Sequence, residues 1–156
     1  MKTKLVAFTL LASISAFASF AQDAADPFAD VVETRHGLML QMASDLGTLG
    51  GMAKGTAAYD QAAATQAASN IAAIASVLSM AQFPAGSETG AAGDSYALAD
   101  IWTKQDDFLS KITDLNNAAG MMKMAAATDA NAIKGSMAQL GGACSACHKS
   151  YRQPES

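Results

Sequence analysis

The residues with the most specific chemistry lie near the end of the chain, where positions 144–148 form the sequence C-S-A-C-H. Two cysteines three residues apart share one face of a helix, so both thiols can form thioethers with the two vinyl groups of a porphyrin. The histidine that follows can reach the iron as its proximal ligand. This spacing predicts that Cys144 and Cys147 attach one haem c covalently and that His148 ligates its iron.

Three other uses of the motif fit the sequence less well. A thioredoxin-like C-x-x-C pair belongs in a βαβ context, which the sequence does not have. A structural zinc ion takes four nitrogen or sulfur ligands, and beyond the motif the chain offers only His36. A disulfide between the two cysteines is possible, but it would leave His148 without a role. Haem attachment also uses both cysteines of the chain.

The N-terminus has the pattern of a secretory signal peptide. Two lysines precede an apolar stretch over residues 5–20, and small residues occupy the two cleavage positions that end at Ala21. We predict cleavage after Ala21, with a cut after Ala18 as the alternative. The apolar stretch is shorter than the ~20 residues of a membrane span, which disfavours an uncleaved anchor. We therefore expect residues 22–156 to form one mature domain in the periplasm, where haem is attached.

Charge restricts the possible partners. The whole chain carries a formal charge of −4, and loss of the two lysines in the signal peptide leaves eight basic residues against 14 acidic ones, a net charge of −6. An acidic exported protein binds nucleic acids and anionic membranes poorly. We expect neither as a partner, and no membrane association after signal cleavage.

The mature sequence favours helices, because alanine is abundant, aromatic residues are few and β-branched runs are missing. Apolar residues recur at helical spacing in four segments, at about 26–53, 60–81, 99–124 and 129–152. The connections are short or moderate, so neighbouring helices should be antiparallel. The sequence thus predicts an all-α, up-down-up-down four-helix bundle, with covalently bound haem c near the C-terminal end of helix four.

Local signals mark where some of these helices begin and end. Asp26 is the candidate N-cap of the first helix, with Pro27 at the first helical position. Either Gly50-Gly51 or Gly55 should end that helix. Asn116-Asn117 and Gly120 weaken the end of the third helix.

The predicted topology places residues 28–42, 77–83 and 99–108 beside the haem. Four methionines, Met52, Met121, Met122 and Met124, lie at the other end and are expected to be core or surface filler. No Met or His follows His148, so the iron is either capped from helix one or left open. On the inward stripe of helix one, Met39 fits two roles, as a thioether ligand or as an apolar lid over the iron.

Arginines near this site suggest partners for the haem propionates. Arg35 lies one turn before Met39 on the inward stripe, where a guanidinium is costly unless an anion pairs with it. Arg152 follows His148 by one turn and is a second candidate, although an Arg there already complements the helix dipole. His36 is expected to be a surface histidine, and Trp102 to pack in the core beside the haem.

Several motifs together resemble the cytochrome c′ family, the class II c-type cytochromes. They are R-H-G-L-M at 35–39, M-A-K-G at 52–55 followed by Tyr59-Asp60, F-P-A-G-S at 83–87, Ile101-Trp102, and G-A-C-S-A-C-H-K-S-Y-R at 142–152. They follow the order of the family over nearly the whole mature chain. The terminal motif is specific, whereas the others indicate the family only in combination.

The resemblance implies a periplasmic homodimer whose haem c is bound through Cys144 and Cys147, with His148 proximal and Met39 closing the distal pocket. Most members hold five-coordinate, high-spin iron that binds NO or CO, and a low-spin branch uses a Met at position 39 as sixth ligand. We expect five-coordinate iron that binds NO or CO and transfers single electrons. The alternative is a six-coordinate His/Met electron carrier with a small redox protein as partner. No acid and base converge, so no enzyme activity is expected.

Overall fold

The computed structural model describes residues 26–154. Four long helices form a bundle, and a loop closes the end of the bundle that carries the C-x-x-C-H motif. The helices are α1 (Ala29–Lys54), α2 (Gln61–Val77), the short α3 (Asp100–Thr103), α4 (Gln105–Ala126) and α5 (Ala130–Tyr151), with a 3₁₀ turn at Met80–Gln82. Side-chain hydrogen bonds join α1 to α2, α2 to α4, and the start of α4 to the end of α5, as the predicted up-down-up-down bundle requires. The predicted signal peptide lies outside the described residues.

Capping residues explain three of the helix ends. Asp60 and Asp129 accept hydrogen bonds from the backbone N–H three residues later, at 3.0 and 2.8 Å, and so start α2 and α5. Gly55 ends α1 with a φ of +73°, a left-handed conformation that glycine adopts without strain. Of the two predicted ends, the one at Gly55 is therefore confirmed.

The predicted start of α1 was wrong by a few residues. Pro27 lies in a turn, and the helix begins at Ala29 without a side-chain cap. Asp26 Oδ1 instead accepts from Phe28 N at 2.8 Å, while Oδ2 accepts from Gly93 N at 2.9 Å. One carboxylate oxygen therefore stabilises the turn before α1, and the other binds a distant loop. Together they hold the start of α1 against the loop at the haem end of the bundle.

The core consists mostly of aliphatic side chains from all four long helices and the short α3, together with the rings of Phe83, Phe108 and Tyr151. The largest fully buried apolar residues are Leu49, Ile101, Met122, Ile133 and Leu140, and each contributes on the order of 2 kcal/mol by leaving water. Met52 is also buried, whereas Met121 and Met124 are exposed, which confirms their predicted roles as filler. The helix α4 runs through Asn116 without a break, and the Asn116 Nδ2 donates across the bundle to Ala75 O at 2.9 Å.

The loop between the 3₁₀ turn and α3 closes one end of the bundle over the last turn of α5. Leu98 N donates to Tyr151 O at 2.9 Å and Gln153 N donates to Tyr96 O at 2.8 Å. Trp102 Nε1 donates to Phe83 O at 3.0 Å, so this side chain holds the loop as well as packing. Within residues 26–154, no helix has both the length and the apolar character needed to cross a membrane.

Candidate haem-binding site

The motif cysteines lie on the last turns of α5, where they line a cavity of about 270 Å³ inside the bundle. Cys144, Cys147 and His148 form one wall of this inner cavity. The opposite walls come from α1, α2 and α4 and are almost entirely apolar. They include Met39, Met42, Leu46, Ile71, Leu78, Phe108, Ile112 and Leu115, and among the lining residues Lys111 carries the only fixed charge.

A second, wider cavity of about 540 Å³ adjoins the inner one at the same end of the bundle. The two cavities share Met39, Ala43, Phe83, Phe108, Cys147 and His148 in their walls. Arg35, His36 and Arg152 line only the wider cavity. Pockets of this size, apolar with a few placed polar groups, are typical of cofactor sites. The fold therefore gathers every site residue predicted from the sequence around one space.

The electrostatics of the motif suit covalent haem attachment better than a metal–thiolate site. Both thiols are free, and burial raises the pKa of Cys144 and, to about 11, that of Cys147. Partial burial, followed by the charge of Arg152, lowers the pKa of His148. That favours the neutral imidazole, the form that ligates a metal. Among residues 26–154, no three His, Cys, Asp or Glu side chains converge as zinc would require.

Arg35 is buried, with 4% of its surface exposed, and most of its donors bind protein. Its Nη1 donates to Ser87 Oγ at 2.9 Å and to Gln82 O at 3.2 Å. Its Nη2 donates to Ser87 O at 2.8 Å and to Ser95 Oγ. Burial lowers the pKa of Arg35, although a guanidinium remains charged at neutral pH. These bonds leave Nε–H as the donor for a propionate, and that contact stays a prediction.

Replacing Arg35 by Met should destabilise the protein by about 3 kcal/mol, because the buried oxygens of Ser87 and Ser95 would lose a charged donor. Unfolding in urea, followed by circular dichroism, measures the change. Lys54→Met removes an exposed cation at the end of the same helix and should alter stability by less than about 0.5 kcal/mol. Equal losses in the two variants would show that the hydrogen bonds of Arg35 contribute little.

The other predicted site residues lie at the rim of the wider cavity. The guanidinium of Arg152 lies 5.4 Å from the centroid of the Tyr96 ring, and the His36 ring lies 5.9 Å from the same ring. Both residues line the cavity that contains His148. This placement is compatible with propionate binding by Arg152, which stays a prediction.

Sequence reasoning missed a polar cluster beside the motif. The Tyr151 hydroxyl donates to Asp107 Oδ2, and Lys111 Nζ lies 3.4 Å from Asp107 Oδ1. The Tyr151 ring packs edge-on against Phe108, with centroids 5.2 Å apart. The i, i+4 spacing of Asp107 and Lys111 was visible in the sequence as a helical ion pair. Nothing local indicated that Tyr151, on another helix, would join it.

Comparison with known proteins identifies the family. The family model described as Cytochrome C' matches residues 30–152 of this chain. The chain belongs to the cytochrome c′ family. One relative, cytochrome c-554 of Cereibacter sphaeroides, is 48% identical over 96% of this chain and 97% of its own length.

Solved cytochrome c′ structures share the fold. The structure of cytochrome c′ from Rhodobacter spheriodes matches with a TM-score of 0.77 and 28% identity, covering 82% of this chain and 98% of its own. The nitric oxide complex of a cytochrome c prime mutant from Alcaligenes xylosoxidans matches with a TM-score of 0.71 and 27% identity, covering 81% and 97%. The cofactor of this cytochrome c′ family member is haem c, and the paired thiols, neutral imidazole and apolar cavities fit that group.

Proposed function

We propose that this haem c protein is an exported single-electron carrier, with Cys144 and Cys147 attached to the porphyrin and His148 and Met39 as the two axial ligands. Haem c supplies the one-electron couple when bound. The observation that carries the proposal is the position of Met39, which lies on α1 in the walls of both cavities, as His148 does on α5. His/Met ligation is the arrangement of electron-transfer cytochromes c.

Other candidates for the second axial position fit less well. Met42 and His36 are the further sulfur and imidazole donors among the lining residues, apart from the cysteines. Met42 lines only the inner cavity and is buried in the core. His36 lines only the wider cavity, where its ring lies near Tyr96. Of these three candidates, only Met39 lines both cavities together with His148, which supports it as the ligand.

A second candidate function is the binding of NO or CO at five-coordinate iron, as expected from the sequence. The apolar wall of the inner cavity favours it, because such a wall admits small neutral molecules and offers few hydrogen bonds to water or anions. A related cytochrome c prime mutant has been solved as a nitric oxide complex. In this alternative Met39 is an apolar lid, and Arg35 binds a propionate through Nε–H.

Two further properties belong to the proposal. The N-terminal pattern supports removal of residues 1–21 and location in the periplasm. The many Ala and Gly residues of α1 and α2 support a homodimer in which helices approach closely. A small redox protein would then be the electron-transfer partner.

Spectra of the purified protein test the proposed function. After expression in a host that matures c-type haem, the intact mass should equal residues 22–156 plus one haem. The reduced protein should give the sharp α band of low-spin iron, and CO should change the spectrum slowly or not at all. A high-spin Soret band, no sharp α band and immediate CO binding would instead support the gas-binding candidate. A colourless protein would contradict both.

A further inference from the structure

We propose that Tyr151, Asp107 and Lys111, here called the charge cluster, set the reduction potential of the haem carried by α5. The inference rests on the proposed function, since it requires a haem at His148 that changes its oxidation state. None of the three residues is needed to attach or ligate the haem in that proposal. They would act through their charges and by holding the last turn of α5 in place.

The cluster is anchored by a buried hydroxyl. Tyr151 is only 3% exposed, and its hydroxyl donates to Asp107 Oδ2 at 2.5 Å. Tyr151 lies three residues after His148, so the two side chains occupy neighbouring positions on one helical face. The hydrogen bond therefore joins the last turn of α5, which carries the proposed proximal ligand, to the first turns of α4.

The cluster also places opposite charges beside the motif. Lys111 Nζ lies 3.4 Å from Asp107 Oδ1, and the Lys111 side chain is 25% exposed, against 54% for Asp107. Lys111 lines the inner cavity together with Cys144, Cys147 and His148. A charge in this partly desolvated position interacts more strongly with the iron than one in open water. The carboxylate stabilises ferric iron and the ammonium stabilises ferrous iron, while the Tyr151 hydroxyl disperses the carboxylate charge.

Potentiometric titration of the haem-loaded protein, at one pH, tests this assignment. Asp107→Asn should raise the reduction potential and Lys111→Met should lower it, each by about a threefold change in the redox equilibrium constant, since water screens partly exposed charges. Opposite shifts matter because general loosening of the haem site would move both variants in the same direction. Thermal unfolding of each variant, measured in parallel, records any such loosening.

Matched controls separate the effect of where a charge lies from the effect of the change in net charge. Asp106→Asn makes the same change in net charge at the neighbouring exposed residue, outside the cluster. Lys123→Met is the control for Lys111→Met, because it removes one positive charge at an exposed site three turns along α4. Both controls should shift the potential less than their counterparts in the cluster.

A further variant tests the contribution of the Tyr151 hydroxyl. Tyr151→Phe keeps the ring contact with Phe108 and removes the hydroxyl that donates to Asp107 Oδ2 and lies 3.5 Å from Lys104 O. The undispersed carboxylate charge should then lower the potential, by less than Lys111→Met does. Shifts of Asp107→Asn and Lys111→Met in the same direction, or no larger than their controls, would overturn the inference while haem content stayed normal. Loss of covalent haem in the unaltered protein would instead contradict the proposed function.

Discussion

Replacing both Cys144 and Cys147 by Ser should abolish covalent haem attachment. A serine hydroxyl does not form the thioether that holds the porphyrin, so haem would remain only through His148 and would leave on denaturation. Haem staining of a denaturing gel should fall more than tenfold, on the order expected when the covalent bonds are lost. The intact mass should decrease by one haem, beyond the small loss from replacing two sulfur atoms by oxygen. The emptied cavities should also lower the thermal stability.

The control for this double variant is Ser145→Ala, inside the same motif. Ser145 is exposed on α5 and lies between the cysteines without lining either cavity. Its haem content should equal that of the unaltered protein. Covalent haem that persisted in the double cysteine variant would remove the basis of the proposed site.

Replacing Met39 by Leu should convert the spectrum of the proposed carrier. Leucine keeps the apolar volume but has no sulfur to donate, so the iron would become five-coordinate and high-spin. The sharp α band of the reduced protein should disappear, and CO should bind at least about tenfold faster because no internal ligand has to leave. Loss of the thioether should also lower the reduction potential. Absorption spectra and stopped-flow mixing with CO measure these changes.

Met42→Leu is the matched control, one turn along α1 and at the inner cavity alone. It makes the same chemical change in the core, so it should lower stability slightly and leave the α band intact. If Met39→Leu also left both the spectrum and the CO rate unchanged, Met39 would not be a ligand. The gas-binding candidate would then be the better account of the apolar cavity.

The helices themselves could be predicted because their signals are local. Apolar spacing marked all four long segments, and Asp60, Asp129 and Gly55 set helix ends through bonds or dihedral angles within a few residues. Topology followed from short connections, and it correctly placed the motif beside α1 and the start of α4. The comparisons then confirmed the family that the combined motifs had indicated.

Predictions failed where distant contacts outweighed local preference. Asp26 has the side chain of an N-cap, yet its second oxygen binds the backbone of Gly93 and the helix starts later. The third predicted helix is interrupted at Lys104, between α3 and α4, and no residue there indicated it.

The sequence by itself determined the haem chemistry, because five consecutive residues on one helix contain both thiols and the imidazole. Only the tertiary structure decided what surrounds them. It brought Met39 to the cavities of His148, gave Arg35 partners at Ser87 and Ser95, and joined Tyr151 to Asp107. These contacts join residues 44 or more positions apart. Such pairings depend on how helices pack, which the periodicity of each separate segment does not specify.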